Sequence, residues 1–219
     1  MSAKNNTVYL AALIIASAVV KAEELDSKVL NNYNAVSAAY QYSSSALLGS
    51  DVQAHGFGLG ISTEVYKNFI LGASFSEVFA SNDSISGQSW NLSPTIGYAI
   101  RLMDNHLNIV PKVSYGFGHT GLDHSGLSDD THSITGGALV SYALNNKLGI
   151  GVEYGYQSSL KDGKYFGVAD AHKIAVGPTY AISDVFGVFA KATIGVPNDN
   201  RSSDSDAILG CVAGIEFHW

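Results

Sequence analysis

Four groups of residues in this 219-residue sequence have types and spacings that chemistry could use. Asp170-Ala171-His172 sets a carboxylate two residues from an imidazole, the pairing by which an acid orients a general base. His119, Asp123, His124, Asp130 and His132 bring transition-metal ligand types together within one predicted loop, without a compact spacing. Asp83, Asp123, Asp129, Asp130, Asp162, Asp170, Asp199, Asp204 and Asp206 fall in or beside predicted loops. They offer the hard oxygen ligands of calcium or magnesium, although their spacing matches no calcium loop. Solvated polar loops explain the second and third groups more simply, so no metal and no cofactor is expected. The fourth group differs because its members sit in the middle of extended segments: Glu64, Glu153 and Glu216 with Arg101, Lys112, Lys173 and Lys191. Charges held away from bulk water must be paired or hydrated, so these seven predict either a salt-bridge lattice or the wall of a hydrated pore.

The elements that position these groups follow from composition and pattern. Lys+Arg number 12 against 19 Asp+Glu, a net charge of −7, which argues against nucleic acid as a partner, since that would need a basic patch. Charged residues make up 14%, low for a water-soluble protein. Cys211 is the single cysteine, so no internal disulfide forms. Residues 1–22 read as a cleaved secretory signal peptide: Lys4, an uncharged apolar run from Val8 to Val20, then small or branched residues around Lys21. No later stretch is apolar for long enough to cross a membrane as a helix.

After a short segment at 23–32, the chain alternates with period two, the signature of half-buried strands. The clearest case is 107–119, where Leu107, Ile109, Pro111, Val113, Tyr115 and Phe117 occupy one face and Asn108, Val110, Lys112, Ser114, Gly116 and Gly118 the other. Nine further segments, at 33–45, 51–65, 69–80, 88–102, 132–144, 148–158, 171–182, 186–196 and 206–219, bring the number to ten. Short turns at 66–68, 103–106, 145–147 and 183–185 alternate with mostly longer links, which places the short turns together at one end. Pro94, Pro111 and Pro178 interrupt strands and require bends or bulges.

The two faces meet different surroundings. Nearly all strand glycines share the face that carries the seven charges, while Phe57, Leu59, Ile61, Leu71, Ile96, Val152 and Tyr154 lie on the other. Bulky apolar residues inside and glycines outside would overfill the lumen of a small barrel. The inverse arrangement, apolar residues toward lipid and small or charged residues toward the lumen, suits a bilayer. The fold expected is all-β: a ten-stranded antiparallel up-and-down transmembrane β-barrel over residues 33–219. Aromatics near the strand ends, Phe79, Trp90, Phe117 and Tyr156 at one end and Phe69, Tyr180, Phe186 and Trp219 at the other, predict interfacial girdles.

The chain ends Cys211-x-Ala213-x-Ile215-x-Phe217-x-Trp219, alternating up to a terminal aromatic. This strand resembles the C-terminal recognition strand of Gram-negative outer-membrane proteins. With the signal peptide and the whole-chain pattern, it makes the sequence similar to the small outer-membrane β-barrels, the grouping of the opacity-protein and OmpX-like families. The resemblance implies a bacterial outer-membrane location with both termini periplasmic. It implies contact with lipid and lipopolysaccharide, and reading of Ile215, Phe217 and Trp219 by the barrel assembly machinery. The role expected is non-enzymatic: a structural or surface barrel, with a narrow pore for small solutes left open. The alternative is an adhesin acting through the outer loops. Asp170-Ala171-His172 also resembles the Asp-x-His pair of the ten-stranded omptin proteases, but the acidic pair opposite it in that family is missing beside Asp83.

Overall fold

Alternating residues form strands because a pleated backbone sends consecutive side chains to opposite faces. The computed structural model describes residue 30 and residues 32–47, 50–81, 86–122, 128–161, 170–198 and 207–219. Its extended runs are β1 (Ala35–Leu47), β2 (Ser50–Tyr66), β3 (Phe69–Ser81), β4 (Ser86–Tyr98), β5 (Ile100–Leu102), β6 (Leu107–Leu122), β7 (Ser128–Ala143), β8 (Leu148–Lys161), β9 (Ala171–Ala181), β10 (Phe186–Pro197) and β11 (Ile208–His218). β4 and β5 are two runs of one barrel strand parted at Ala99. Both pair with β6 in a single register, Gly97 opposite Lys112 and Ile100 opposite Ile109. Every sequential neighbour pairs antiparallel, and β11 returns to β1 with Ala35 opposite His218. The expected closed ten-stranded up-and-down barrel is therefore formed. Closure gives every strand two neighbours and leaves no edge, which matters where hydrocarbon offers the backbone no hydrogen-bond partner.

The strands follow the predicted segments closely, with one instructive difference. β6 continues to Leu122 and β7 begins at Ser128, so Asp129 and Asp130, expected in a loop, pair with Thr120 and His119. Hydrophobic alternation stops at the edge of the apolar band, whereas the backbone ladder continues into water. Asp83, Asp123, His124, Asp162, Asp199, Asp204, Asp206 and the signal peptide lie outside the described residues.

The prolines act by interrupting the ladder while keeping the register. Pairing between β4 and β6 skips Pro94 and again skips Pro111, yet the partners on either side keep one register. Pairing between β9 and β10 likewise lapses at Pro178 and resumes unshifted. A missing N–H removes a bond without requiring an extra residue. The bulges stand elsewhere, at Glu64/Tyr66 in β2 and opposite His132/Ser133 in β8. Among the turns, Lys67 and Asn68 have φ of 37° and 74° and join Tyr66 to Phe69 as a two-residue hairpin. Met103, Asp104 and Asn105 also lie in the left-handed region, which the short polar Asp104 and Asn105 tolerate.

The outward face is the greasy one. Leu59 and Ile61 are each 52% exposed, and Phe57, Leu71, Ile96, Val152, Tyr154 and Ile174 are also exposed. Inward glycines let strands approach closely: a Cβ on Gly177 would collide with the Ala190 carbonyl, and one on Gly137 with that of Tyr154. Outward Gly136 has nothing within 4 Å of the same position.

Candidate functional site

The inward face carries its charges at two levels. Near the short-turn end, Glu64 on β2 forms an ion pair with Arg101 on β5. Asn68 completes this knot, donating its backbone N–H to Glu64 Oε1 at 3.0 Å and accepting from Arg101 through its side chain. Further along the lumen, Lys112 Nζ on β6 donates to Glu153 Oε1 on β8 at 2.7 Å, while Lys191 Nζ on β10 stands 4.0 Å from Glu153 Oε2. Lys173 Nζ donates to Gln157 Oε1. Glu216 Oε1 lies 3.2 Å from Nε2 of His218 on the same strand. Among the described residues the seven fall into separate groups: Glu64 with Arg101, Lys112 and Lys191 with Glu153, Lys173 with Gln157, and Glu216 with His218.

A feature that alternation did not reveal lies at the short-turn end. Ile70 on β3, Ala99, and Val110 on β6 are buried together inside the barrel, with Leu139 on β7 and Tyr33 packed against them. The segment before β1 spans the mouth beside this cluster. Asn34 Oδ1 accepts from the Thr63 hydroxyl and the Glu64 N–H, each at 2.9 Å, and the Ser62 hydroxyl donates to the Tyr33 carbonyl at 2.7 Å. On the far side, Asn32 Nδ2 donates to the Trp219 carbonyl at 3.2 Å. The Arg101 guanidinium stands 5.8 Å from the centre of the Tyr33 ring, and Leu30 reaches the wall at Gly149. Fully buried Asn108, beside this cluster, has no partner for either side-chain atom. Ile70, Val110 and Leu139 are large inward residues, but so are Val78, Phe189 and Val212 elsewhere in the wall, so size alone does not mark the cluster in the sequence.

Four histidines, His55, His119, His132 and His172, lie on the outward face toward the loop end. Nδ1 of His119 on β6 lies 2.8 Å from Asp130 Oδ1 on β7, and the His119 ring stacks on Trp90. His132 Nδ1 is 2.6 Å from the Tyr115 hydroxyl, with the Phe117 ring beside it. His172 Nδ1 is 2.9 Å from the Tyr154 hydroxyl, and its ring also contacts Tyr156. Asp170 does not orient His172. Its carboxylate accepts from the Ser159 N–H at 2.9 Å and the Tyr156 hydroxyl at 3.1 Å. The Ser159 N–H, with the Tyr156 hydroxyl in support, holds that carboxyl below the usual carboxylate range. The Asp-x-His pair therefore lacks the geometry of an acid–base couple. Among the described residues no group of three His, Cys, Asp or Glu side chains is placed to hold a metal ion. His119, Asp130 and His132, predicted within a loop, stand instead on paired strands.

A model of the outer membrane protein beta-barrel domain matches residues 8–177. No curated protein sequence matches the chain. Among solved structures, the chain is similar to the translocator domain of the autotransporter NalP from Neisseria meningitidis, with TM-score 0.54 and 11% identity over 99% of this chain and 96% of that one. It is also similar to the beta domain of the Bordetella autotransporter BrkA, with TM-score 0.54 and 11% identity over 85% and 99%. Neisserial surface protein A aligns at TM-score 0.45 and 10% identity over 84% and 96%. At these identities the likeness is one of fold.

Proposed function

Because the chain belongs to the outer membrane protein beta-barrel domain family, whose members reside in the bacterial outer membrane, we propose that it is a non-enzymatic surface barrel with its lumen closed at the short-turn end. That end and both termini face the periplasm, and the loop end faces the exterior. On this reading the protein acts through its outer rim and loops, as a structural or host-contacting element, rather than by conduction. Lipid and lipopolysaccharide are its lateral partners, and Ile215, Phe217 and Trp219 form the strand read by the assembly machinery.

The observation that carries the reading is the cluster of Tyr33, Ile70, Ala99, Val110 and Leu139 inside the barrel, with the preceding segment tied to β2 on one side and to the chain end on the other. An apolar knot in a narrow lumen excludes hydrated ions, and ten strands leave little width to spare. Farther along the lumen Lys112 and Lys191 both reach Glu153, which favours the salt-bridge lattice over the pore. Single-channel recording in planar bilayers tests this: purified folded protein should stay at background, and Tyr33→Ala with residues 23–32 removed should give small steps. Steps from the unaltered protein would contradict the closed lumen.

A further inference from the structure

His55, His119, His132 and His172 all face outward, and each packs on an aromatic ring of a neighbouring strand. Counted from the short turns, they come roughly 9–12 residues along their strands, the length a tilted strand needs to cross the hydrocarbon. They therefore share one level, at the edge of the apolar band where lipid headgroups begin. We infer that these four rings form a binding belt for the phosphate groups of outer-leaflet lipid A, engaged when the rings are protonated.

The chemistry at each position is consistent with that partner. The Tyr115 and Tyr154 hydroxyls hold Nδ1 of His132 and His172. When the hydroxyl donates, the ring proton stays on Nε2, a donor on the opposite side of the ring. Asp130 accepts from Nδ1 of His119 and offsets that ring's charge. The other groups facing the belt are Tyr42, opposite His55 in the strand register, Glu77 of β3, which shares the outward face with Phe79, lies opposite Trp90 and accepts from the Gln88 side chain, and Asp170, which reaches the His172 cluster through Tyr156. Imidazole changes charge between pH 5 and 8, so the belt strengthens on acidification.

This inference rests on the proposed orientation, with the loop end outside. The test titrates the full barrel in dodecyl maltoside micelles with diphosphoryl lipid A and with dephosphorylated lipid A, counting bound copies by native mass spectrometry. Binding of the diphosphoryl form should tighten from pH 7.5 to 5.5 by about fivefold per charged ring, and the dephosphorylated form should show no step. Replacing all four by glutamine (His55→Gln, His119→Gln, His132→Gln, His172→Gln) should remove the step. The same four changed to lysine should bind tightly at both pH values. A step that survives the glutamine changes, a step with dephosphorylated lipid, or lysine variants no tighter than glutamine ones would overturn the belt. Labelling Ser128→Cys in a Cys211→Ser background on intact cells, with a membrane-impermeant maleimide, separates the two readings. Failure to label overturns the orientation and the belt together, whereas labelling without a lipid A step overturns the belt alone.

Discussion

Glycine at position 177 is set by a neighbouring backbone. The Ala190 carbonyl of β10 occupies the space a methyl group would need, and a main-chain atom cannot rotate aside as a side chain can. Gly177→Ala should therefore lower barrel stability by about 1–3 kcal/mol. Gly136→Ala, on the opposite face with open space around it, should be neutral or raise stability by up to about 1 kcal/mol through a stiffer unfolded chain. Urea midpoints of the heat-modifiable folded band in detergent would measure both. Equal losses at the two sites would contradict the assignment of faces. Alternation alone put Gly177 with the charges and Gly136 with the bulky residues. What it could not convey is which inward glycines are sterically required, because that depends on how near β9 and β10 approach.

Strands here are defined by ladders that outlast their hydrophobic patterning. The ends of β6, β7 and β8 extend beyond the lipid-facing aromatics, and the Asp170 carboxylate fastens the start of β9 to Ser159 and Tyr156 of β8. The Asp170 carbonyl also accepts the Asn198 N–H just past β10. A carboxyl held below its unfolded value of about 3.9 stabilises the clamp fully above that pH and releases it as pH falls through the depressed value. The Ser159 amide proton should therefore keep a constant, hydrogen-bonded NMR shift from pH 7 to about 5. It should move upfield only on further acidification, and Asp170→Ala should abolish that titration. A midpoint above the ordinary carboxylate range would contradict the clamp. The ten strands and their short turns were legible in the sequence because lipid on one side and a small lumen on the other impose strict alternation. The bulges at Glu64/Tyr66 and opposite His132 were not, since one extra residue in a ladder leaves no mark when its neighbours are polar. The knot of Tyr33, Ile70, Val110 and Leu139 was equally hidden, because it joins residues from four distant segments at a level that only the register fixes.

At the scale of the molecule, the fold inverts the usual order of a water-soluble protein: side chains such as Leu59, Ile61 and Phe217 cover the outside, while Lys112, Glu153 and Arg101 pair within. Closing the ladder from β11 to β1 makes that inversion tolerable, since every strand then has partners on both sides. The native Cys211 is exposed on β11, on the face of Ile215 and Phe217, which gives a probe without altering the wall. A nitroxide attached to Cys211, in protein reconstituted into phospholipid vesicles, reports which medium surrounds that face. The inverted barrel predicts frequent collision with oxygen and little with a water-soluble nickel chelate, and the opposite for a label at Ser114→Cys in a Cys211→Ala background. Strong nickel access at Cys211, or a lipid-like signature at residue 114, would contradict it.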